Sequence, residues 1–399
     1  NDQTDSANEQ TDTQDAPELP VERSVCDIRI LLGSDKKTGE KIYWEYGHKS
    51  LNNRHLLING NSGCGKTYCI QGMLMSAARQ GVSAVIFDYT GGFTNTQLDP
   101  LFKDVLGDRI VQRLIITDKI PVNPFVRHQI QIDENTFIPG TNVQTASKIS
   151  EIFTSVYSLG EQQKSAVYQA VLNGLNNLGD QMTFQAMAQE LDQLGTSYAK
   201  SVLSKIRPFI DMDSFRTDDS FNWGSIRDAD GMIYVIQLAG YERPEQVLLT
   251  EILLWDIWSF CVKTGNESKP FILVMDEAQN LDHGEKSPSA KILTEGRKFG
   301  ISGWYATQFM KPQLTDDEIQ RLQQSVQKLY FCPPDDGVET VAKNLETPSV
   351  SKKDWIVRLK RQQKGECVTC GSMVKNGQLL PYQPKMIRVP SMQERLDNE

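Results

Sequence analysis

The 399-residue sequence has few histidines, no regular cysteine spacing and no long apolar run. Its seven cysteines are odd in number and scattered, so we expect reduced thiols rather than a disulfide framework. No apolar run approaches the roughly 18 residues that cross a bilayer, and the chain does not open with the basic and then apolar segments of a secretion signal. These absences predict a cytoplasmic protein without a membrane partner.

Zinc ligands are also scarce. Cys367 and Cys370 form the only close cysteine pair, and the four histidines do not supply a matching second pair. Because a structural zinc site needs four ligands, the sequence favours a β-strand that carries two ordinary thiols. A metal role for the two cysteines is the alternative.

Positive charge is missing from the first twenty residues, which hold acids at positions 2, 5, 9, 12, 15 and 18. The formal net charge of the whole chain is -9, so most of it lies in this segment. Residues 1–24 are polar, acidic and almost free of apolar side chains, which predicts a disordered acidic linker. The rest of the chain is too acidic to coat DNA with a broadly basic surface, but a local basic pore or loop is compatible with it.

The stretch that organises the chain is rich in glycine and ends in Lys-Thr. Gly60, Gly65, Lys66 and Thr67 match the spacing G-x-x-x-x-G-K-[ST] of a phosphate-binding P-loop. In a P-loop, N–H groups at the start of a helix cradle the phosphates, the lysine reaches the β- and γ-phosphates, and the hydroxyl binds Mg²⁺. The predicted nucleotide-binding residues are Gly60, Asn61, Ser62, Gly63, Cys64, Gly65, Lys66, Thr67 and Tyr68. The alternative, an accidental glycine-rich turn, is disfavoured by a strand-like run before the loop and helical spacing after it.

Short apolar runs along the chain are typical of strands buried on both faces of a parallel sheet. Such runs cover residues 56–58, 82–88 and 231–238, and helical patterns cover 68–79 and 244–262. This alternation predicts an α/β fold with a mostly parallel sheet flanked by helices. Two strand-like runs within residues 26–46 predict a β-hairpin ahead of this core.

Residues 128–222 differ from the rest because they have helical spacing interrupted by turn signals near 160 and 179. We interpret them as a helical insertion. The predicted division is an acidic linker (1–24), the first part of the core (25–127), the insertion (128–222), the second part of the core with a closing hairpin (223–390) and a tail (391–399).

A further apolar run, over residues 271–275, is typical of a core strand and ends in two adjacent carboxylates, Asp276 and Glu277. Any strand can end in acids, but together with a P-loop this pattern is the Walker B form. Asp276 is predicted to bind Mg²⁺ together with Thr67. Glu277 is predicted to orient or deprotonate the water that attacks the γ-phosphate of ATP.

Two further polar residues are candidates for the same site. Gln308 ends an apolar strand over residues 302–308 and is a candidate sensor of the γ-phosphate; a surface glutamine is the alternative. Arg297 carries a planar, permanent charge that suits phosphate oxygens, which makes it a candidate arginine finger for the ATP of a neighbouring subunit. An ion pair with a surface acid is the alternative for Arg297.

The order of these motifs resembles that of the HerA/FtsK superfamily of DNA-pumping ATPases. The resemblance is carried by residues 56–67, 87–88, 121–125, 275–280, 296–300 and 306–308, and by the closing segments 364–371 and 385–389. It implies a RecA-like P-loop core, ATP and Mg²⁺ as cofactors, a hexameric ring with ATP between subunits, and translocation of double-stranded DNA through a central pore. Within the superfamily, the chain is similar to the DptH/DndH subunit of bacterial restriction systems that depend on DNA phosphorothioation. This narrower similarity implies partner proteins and a role in antiviral defence.

The sequence departs from the superfamily at two places. Many HerA-like proteins have Asp-x-x-Gly-Glu after the second strand, whereas this chain has Asp88-Tyr89-Thr90-Gly91-Gly92 and lacks the glutamate. The role of Asp88 is therefore open at this point. HerA itself begins with a β-barrel domain, and only a hairpin precedes the P-loop here.

The expected activity is ATP hydrolysis coupled to translocation or unwinding of double-stranded DNA. The alternative is an ATP-dependent switch or scaffold that assembles with partner proteins and does not move along DNA. The missing glutamate at position 92 and the acidic balance favour the switch, and the Asp276–Glu277 pair favours hydrolysis. A small-molecule kinase is poorly supported because the sequence has no arginine-dense segment to serve as a lid over the phosphates.

Overall fold

The computed structural model describes residues 24–133, 136–216, 221–308, 310–335 and 337–398. The predicted acidic linker lies outside these ranges except for Ser24. None of the helices in the described ranges is both long and apolar enough to cross a membrane.

The described part of the chain contains fifteen strands. They are β1 (Ile30–Asp35), β2 (Lys41–Trp44), β3 (Leu56–Asn59), β4 (Ala84–Asp88), β5 (Ile110–Leu114), β6 (Ile130–Gln131), β7 (Phe137–Ile138), β8 (Ile233–Gln237), β9 (Phe271–Met275), β10 (Ile301–Thr307), β11 (Gln327–Tyr330), β12 (Glu366–Cys370), β13 (Ser372–Lys375), β14 (Gln378–Pro381) and β15 (Lys385–Arg388).

The α-helices of the same ranges lie between these strands and after the last one. They are α1 (Lys66–Arg79), α2 (Pro100–Leu106), α3 (Ile115–Asp118), α4 (Asn142–Tyr157), α5 (Glu161–Leu178), α6 (Phe184–Leu194), α7 (Ser197–Met212), α8 (Gly224–Arg227), α9 (Arg243–Thr264), α10 (Pro288–Glu295), α11 (Asp316–Leu322), α12 (Val338–Leu345), α13 (Lys352–Lys360) and α14 (Met392–Leu396).

Most strands join one sheet in the order β2-β1-β15-β12-β11-β3-β10-β9-β4-β8-β5. The strands from β11 to β5 run parallel to one another, and the other four continue the sheet in antiparallel fashion. The predicted mostly parallel sheet flanked by helices is confirmed. Strand β10 lies between β3 and β9, so the P-loop and the Asp276–Glu277 pair leave the sheet at the same edge, two strands apart.

Side chains on the sheet alternate between two hydrophobic cores because successive residues of a strand point to opposite faces. In β9, Phe271, Leu273 and Met275 belong to one core, and Ile272 and Val274 belong to the other. The first core also contains α9 and the helices of the insertion, and the second contains α1, α2 and α14. Both faces of the parallel strands are therefore covered, which explains why these strands read as unbroken apolar runs.

The four helices α4 to α7 occupy the region that the sequence analysis assigned to the insertion. Side-chain oxygens of Thr141, Thr183 and Thr196 cap the amino ends of α4, α6 and α7. The buried apolar residues of all four helices belong to the same core as α9 and one face of the sheet. The insertion is therefore packed on the sheet rather than built around a core of its own.

The two predicted hairpins come from the two ends of the core sequence, and the structure places them side by side. Strand β1 pairs with β2 on one side and with β15 on the other, and β15 pairs with β12. Within the closing hairpin, β12 carries both Cys367 and Cys370. No group of three or more His, Cys, Asp or Glu residues in the described ranges is arranged to hold a metal ion.

Within the segment predicted to be a tail (391–399), residues Met392–Leu396 form the short helix α14. Met392 and Arg395 are buried in the second core region beside α1. The Arg395 guanidinium donates to the backbone oxygen of Leu31 and fills the space above Gly72, where a Cβ atom would overlap its Nε. The carboxy-terminal helix is thus part of the packed fold next to the P-loop helix.

Candidate nucleotide-binding site

The loop between β3 and α1 has the backbone shape of a phosphate cradle. Gly63 and Gly65 adopt φ angles of +78° and +104°, which glycine reaches without strain. A Cβ atom at Gly60 would lie 2.6 Å from the Cβ of Phe331, so the loop also needs glycine there to pass the neighbouring strand. Helix α1 begins at Lys66, directly after the loop. Its amino end therefore presents backbone N–H groups to any anion held in the loop.

Lys66 connects this cradle to the carboxylates of the second motif. Its Nζ donates to the backbone oxygens of Gly60, at 2.5 Å, and Asn61, at 2.9 Å. Burial lowers the pKa of Lys66, and the charges of Asp276 and Glu277 oppose that shift. The positive charge of Lys66 therefore interacts with the negative charges of Asp276 and Glu277 in the folded chain.

Asp276 follows the last residue of β9 and is 8% exposed. Its Oδ2 accepts a 3.0 Å hydrogen bond from the Thr90 hydroxyl. Burial and the neighbouring charge of Glu277 raise the pKa of Asp276 to about 6, although the Thr90 hydrogen bond and Lys66 act in the other direction. Because burial disfavours the charged form of Asp276, a nearby cation would stabilise its carboxylate. Together with the hydroxyl of Thr67, this carboxylate offers the hard oxygen ligands that Mg²⁺ prefers.

Glu277 is clamped between two glutamine amides. Its Oε1 accepts from Gln308 Nε2 at 2.5 Å, and its Oε2 accepts from Gln279 Nε2 at 2.6 Å. The residue has a φ angle of +59°, in the left-handed region that non-glycine residues rarely occupy. Such strain is a common feature of active-site residues held by their surroundings.

Gln308 reaches Glu277 because of the strand order. Strand β10 pairs in parallel with β3, with Thr307 opposite Asn59, so the residue after β10 emerges beside the P-loop. The side chain of Gln308 contacts the predicted base, and its backbone N–H donates to Gln279 Oε1 at 3.4 Å. The structure thus places Gln308 in the site, hydrogen-bonded to Glu277.

The turn after β4 gives Asp88 a structural role. Its Oδ1 accepts from the backbone N–H groups of Gly91 and Gly92, at 2.9 and 3.1 Å, and its Oδ2 accepts from that of Phe93 at 2.9 Å. These bonds hold the turn so that Gly92 faces the P-loop threonine: a Cβ atom at position 92 would lie 3.1 Å from Thr67 Cγ2. The lost glutamate of the HerA-like pattern would therefore have stood directly beside Thr67.

Arg297 is the predicted site residue that the structure does not bring to the others. It lies before β10, at the opposite edge of the sheet, and a strand of this length spans about 23 Å. Its Nε pairs with Glu267 Oε1 at 3.3 Å, and its other nitrogens contact the backbone oxygens of Lys49 and Asn52. Arg297 therefore cannot reach the P-loop of its own chain.

Thr90 and Gln279 are site residues that the sequence analysis missed. Thr90 orients Asp276, and Gln279 orients Glu277. The available signal is position: each residue follows the carboxyl end of a parallel strand by no more than four residues, and such ends meet at one edge of a sheet. The strand order needed to pair them is not visible in the sequence.

The chain is similar to a known protein family and to several solved structures. Residues 47–107 match the family described as the type IV secretion-system coupling protein DNA-binding domain. No curated protein sequence matches the chain. The structure of VirB4 of Thermoanaerobacter pseudethanolicus superposes with a TM-score of 0.68 at 16% identity, covering 92% of this chain and 97% of that chain.

Plasmid coupling protein TrwB is a second similar structure, solved with a non-hydrolysable ATP analogue and also with ADP and Mg²⁺. These two structures superpose with TM-scores of 0.55 and 0.56 at 15% and 16% identity, and each match covers 84% of this chain and 85% of TrwB. At these identities the likeness concerns the fold. The chain therefore has the RecA-like P-loop NTPase fold, as its sequence predicted.

Proposed function

We propose that the protein is a Mg²⁺-dependent ATPase that works as a motor on DNA. The observation that carries the proposal is the position of Glu277, clamped by two amides next to Lys66 and Asp276. This arrangement provides a phosphate cradle, a metal-binding carboxylate and a fixed base, which are the parts that ATP hydrolysis requires. The similarity to TrwB, solved with an ATP analogue and with ADP and Mg²⁺, supports the choice of ligand.

Each site residue has a definite part in this reaction. Lys66 and the loop N–H groups hold the β- and γ-phosphates, while Thr67 and Asp276 hold Mg²⁺, which neutralises charge on the phosphates. A γ-phosphate competes with Glu277 for the amide of Gln308, because phosphate oxygens accept the same hydrogen bond. When Gln308 turns to the phosphate, Glu277 Oε1 becomes free to accept a proton from the attacking water. Gln308 thereby couples nucleotide binding to activation of the base.

The substitution Glu277→Gln tests the assignment of the base. We expect nucleotide affinity to be retained and turnover to fall by a factor of about 10² to 10⁴, the usual contribution of a general base. The matched control is Glu285→Gln, which makes the same change at an exposed carboxylate in the segment that follows Glu277. Full turnover in Glu277→Gln would rule out this mechanism, and loss of turnover in both variants would point to a general effect on the loop.

We also propose that the motor is a ring with nucleotide sites shared between subunits. The support is Arg297, which lies too far from its own P-loop and is partly exposed at the opposite sheet edge. A guanidinium placed there is suited to the phosphates of a neighbouring chain, where arginine fingers typically contribute about 10³- to 10⁵-fold in rate. Before it does so, Arg297 must leave Glu267.

Mixing two inactive variants tests the shared site. Arg297→Ala keeps an intact P-loop, and Glu277→Gln keeps an intact Arg297, so a mixed ring contains some complete sites. We expect the mixture to be more active than either variant alone. Lys298→Ala is the matched control, because Lys298 is the adjacent cation and pairs with Glu295 at 2.8 Å; this variant should hydrolyse ATP normally. A mixture that stays inactive would rule out Arg297 as a residue that acts on the nucleotide site of a neighbouring subunit.

We propose double-stranded DNA as the polymer along which the motor moves. The proposal rests on the resemblance to HerA/FtsK motors and on the coupling-protein DNA-binding family that residues 47–107 match. Contacts to phosphates would make binding largely independent of base sequence and strongly dependent on salt. A role in restriction or antiviral defence with partner proteins, in the cytoplasm, is proposed from the DptH/DndH-type similarity alone. The competing proposal is an ATP-dependent switch or scaffold that assembles with partner proteins and does not move along DNA. Displacement of a bound obstacle from DNA distinguishes the motor from it.

A further inference from the structure

Two partly exposed cysteines meet at the phosphate cradle. Cys64 lies inside the P-loop, and Cys332 follows β11, the strand that neighbours β3. The Cys64 thiol donates a hydrogen bond to the backbone oxygen of Cys332, with 4.0 Å between Sγ and that oxygen, so the two cysteines are in contact. The backbone is tied at the same place, because the N–H of Asn61 donates to the oxygen of Cys332 at 2.9 Å.

None of the other described cysteines has this combination of access and a thiol partner. Cys69, Cys261 and Cys367 are fully buried, and Cys26 is exposed in the short helical turn before β1, where no other cysteine is near it in the sequence. Cys370 is three residues from Cys367 on β12, and residues at that spacing point to opposite faces of a strand. Solvent access and a neighbouring thiol are two features of cysteines that are oxidised selectively. Burial raises the pKa of Cys332 to about 11, which leaves Cys64 as the thiol that reacts first.

We propose that Cys64 and Cys332 form an oxidation site for peroxide, and that the resulting disulfide closes the phosphate cradle to nucleotide. The Cys64 sulfur attacks one oxygen of hydrogen peroxide, the O–O bond breaks, and Cys64 sulfenic acid and one water are formed. The Cys332 sulfur then attacks Cys64 Sγ and displaces the hydroxyl, which leaves as a second water with the Cys332 proton. Two thiols are oxidised by two electrons and one peroxide is reduced to two waters.

The geometry explains why this bond would act on nucleotide binding. A disulfide requires the sulfurs to approach to about 2.05 Å, closer than two thiols that are not bonded to each other. The shift falls on Cys64, since Cys332 lies two residues beyond the end of β11 and its Sγ donates to the backbone oxygen of Gln362 at 3.7 Å. Cys64 is flanked by two glycines with positive φ angles, so the loop can follow. Its N–H groups then turn away from the phosphates.

The inference rests on the proposed binding of ATP, and the experiment separates the two. The full chain is treated with hydrogen peroxide, quenched and analysed for a peptide pair joined through residues 64 and 332. Nucleotide affinity is measured for reduced, oxidised and dithiothreitol-treated protein. We expect two fewer free thiols per chain, the joined peptides, and an affinity that falls about 10- to 100-fold, as for loss of one amide-to-phosphate hydrogen bond. Dithiothreitol should restore it.

Two variants make the result decisive. Cys332→Ser should bind nucleotide normally and lose the effect of peroxide, whereas Cys26→Ser should respond as the unaltered chain does. Absence of the joined peptides, or equal loss of affinity in Cys332→Ser, overturns the proposal, because oxidation of Cys64 alone would then explain the loss. If the reduced protein binds no nucleotide, the proposed function fails, and the joined peptides still decide whether the thiols pair.

Discussion

Replacing Asp276 by asparagine should stabilise the nucleotide-free protein while abolishing the proposed Mg²⁺-dependent hydrolysis of ATP. Burial and Glu277 raise the pKa of Asp276 from 3.8 to about 6. Since each pKa unit corresponds to about 1.4 kcal/mol, ionised Asp276 costs the folded state about 3 kcal/mol. Asparagine has nearly the same shape, accepts the Thr90 hydrogen bond with its oxygen and carries no charge, so it removes this cost.

The pH dependence follows from the sign of the shift. The pKa of Asp276 is higher in the folded than in the unfolded chain, so the folded chain binds more protons between pH 4 and 6 and loses stability as the pH rises through this window. The advantage of Asp276→Asn should be about 3 kcal/mol at pH 8 and about half of that at pH 5. For a chain of this length, 3 kcal/mol corresponds to a rise in melting temperature of about 4 °C.

Thermal unfolding at pH 8 and pH 5, without nucleotide or metal, measures this difference. Asp88→Asn is the matched control, because it is the same change at a buried carboxylate on the adjacent strand. Asp88 accepts three backbone N–H groups, and an amide cannot accept them all, so this variant should lose about 1–3 kcal/mol. An Asp276→Asn protein that melts at or below the wild-type temperature at pH 8, or gains equally at both pH values, would refute the reasoning.

Three further changes test other parts of the site and fold. Gln279→Leu should lower kcat about 10- to 100-fold with little effect on KM, because Glu277 loses one of the amides that orient it; an unchanged kcat would leave Gln279 without a role. Gly60→Ala should destabilise the protein by about 1–3 kcal/mol, measured by urea unfolding, since its Cβ would overlap Phe331; wild-type stability would contradict the described loop. Deletion of residues 391–399 should cost at least about 2 kcal/mol through loss of buried Met392, and an unchanged melting temperature would restore the interpretation of this segment as a tail.

The parts of the site that the sequence predicts are those carried by short, contiguous motifs. The P-loop is specified by glycines and a Lys-Thr pair within twelve residues, and the Walker B pair is specified by one buried strand. Both depend on local spacing, which is visible without the fold. The contacts Thr90–Asp276 and Gln279–Gln308 depend on which strands are neighbours, and 186 residues separate the first pair. Only the sheet order brings them together.

The sequence also contains a signal for the carboxy-terminal helix α14, and the predicted tail did not take it into account. Helix α14 is five residues long, too short for its apolar spacing to stand out. Its capping box, in which Ser391 and Glu394 each accept a backbone N–H of the other, is nevertheless a sequence-level mark of a helix start. The pairing of β1 with β15 could not be predicted in the same way, because nothing local records a contact between the two ends of a chain.

The measurement that tests the central claim most directly is the ATPase rate per subunit as a function of protein concentration, with and without double-stranded DNA, for the wild type and Arg297→Ala. A motor with shared sites predicts a rate that rises steeply with concentration, increases further with DNA, and collapses in the variant. A rate that is flat with concentration and indifferent to both DNA and Arg297 would contradict the motor and favour the switch.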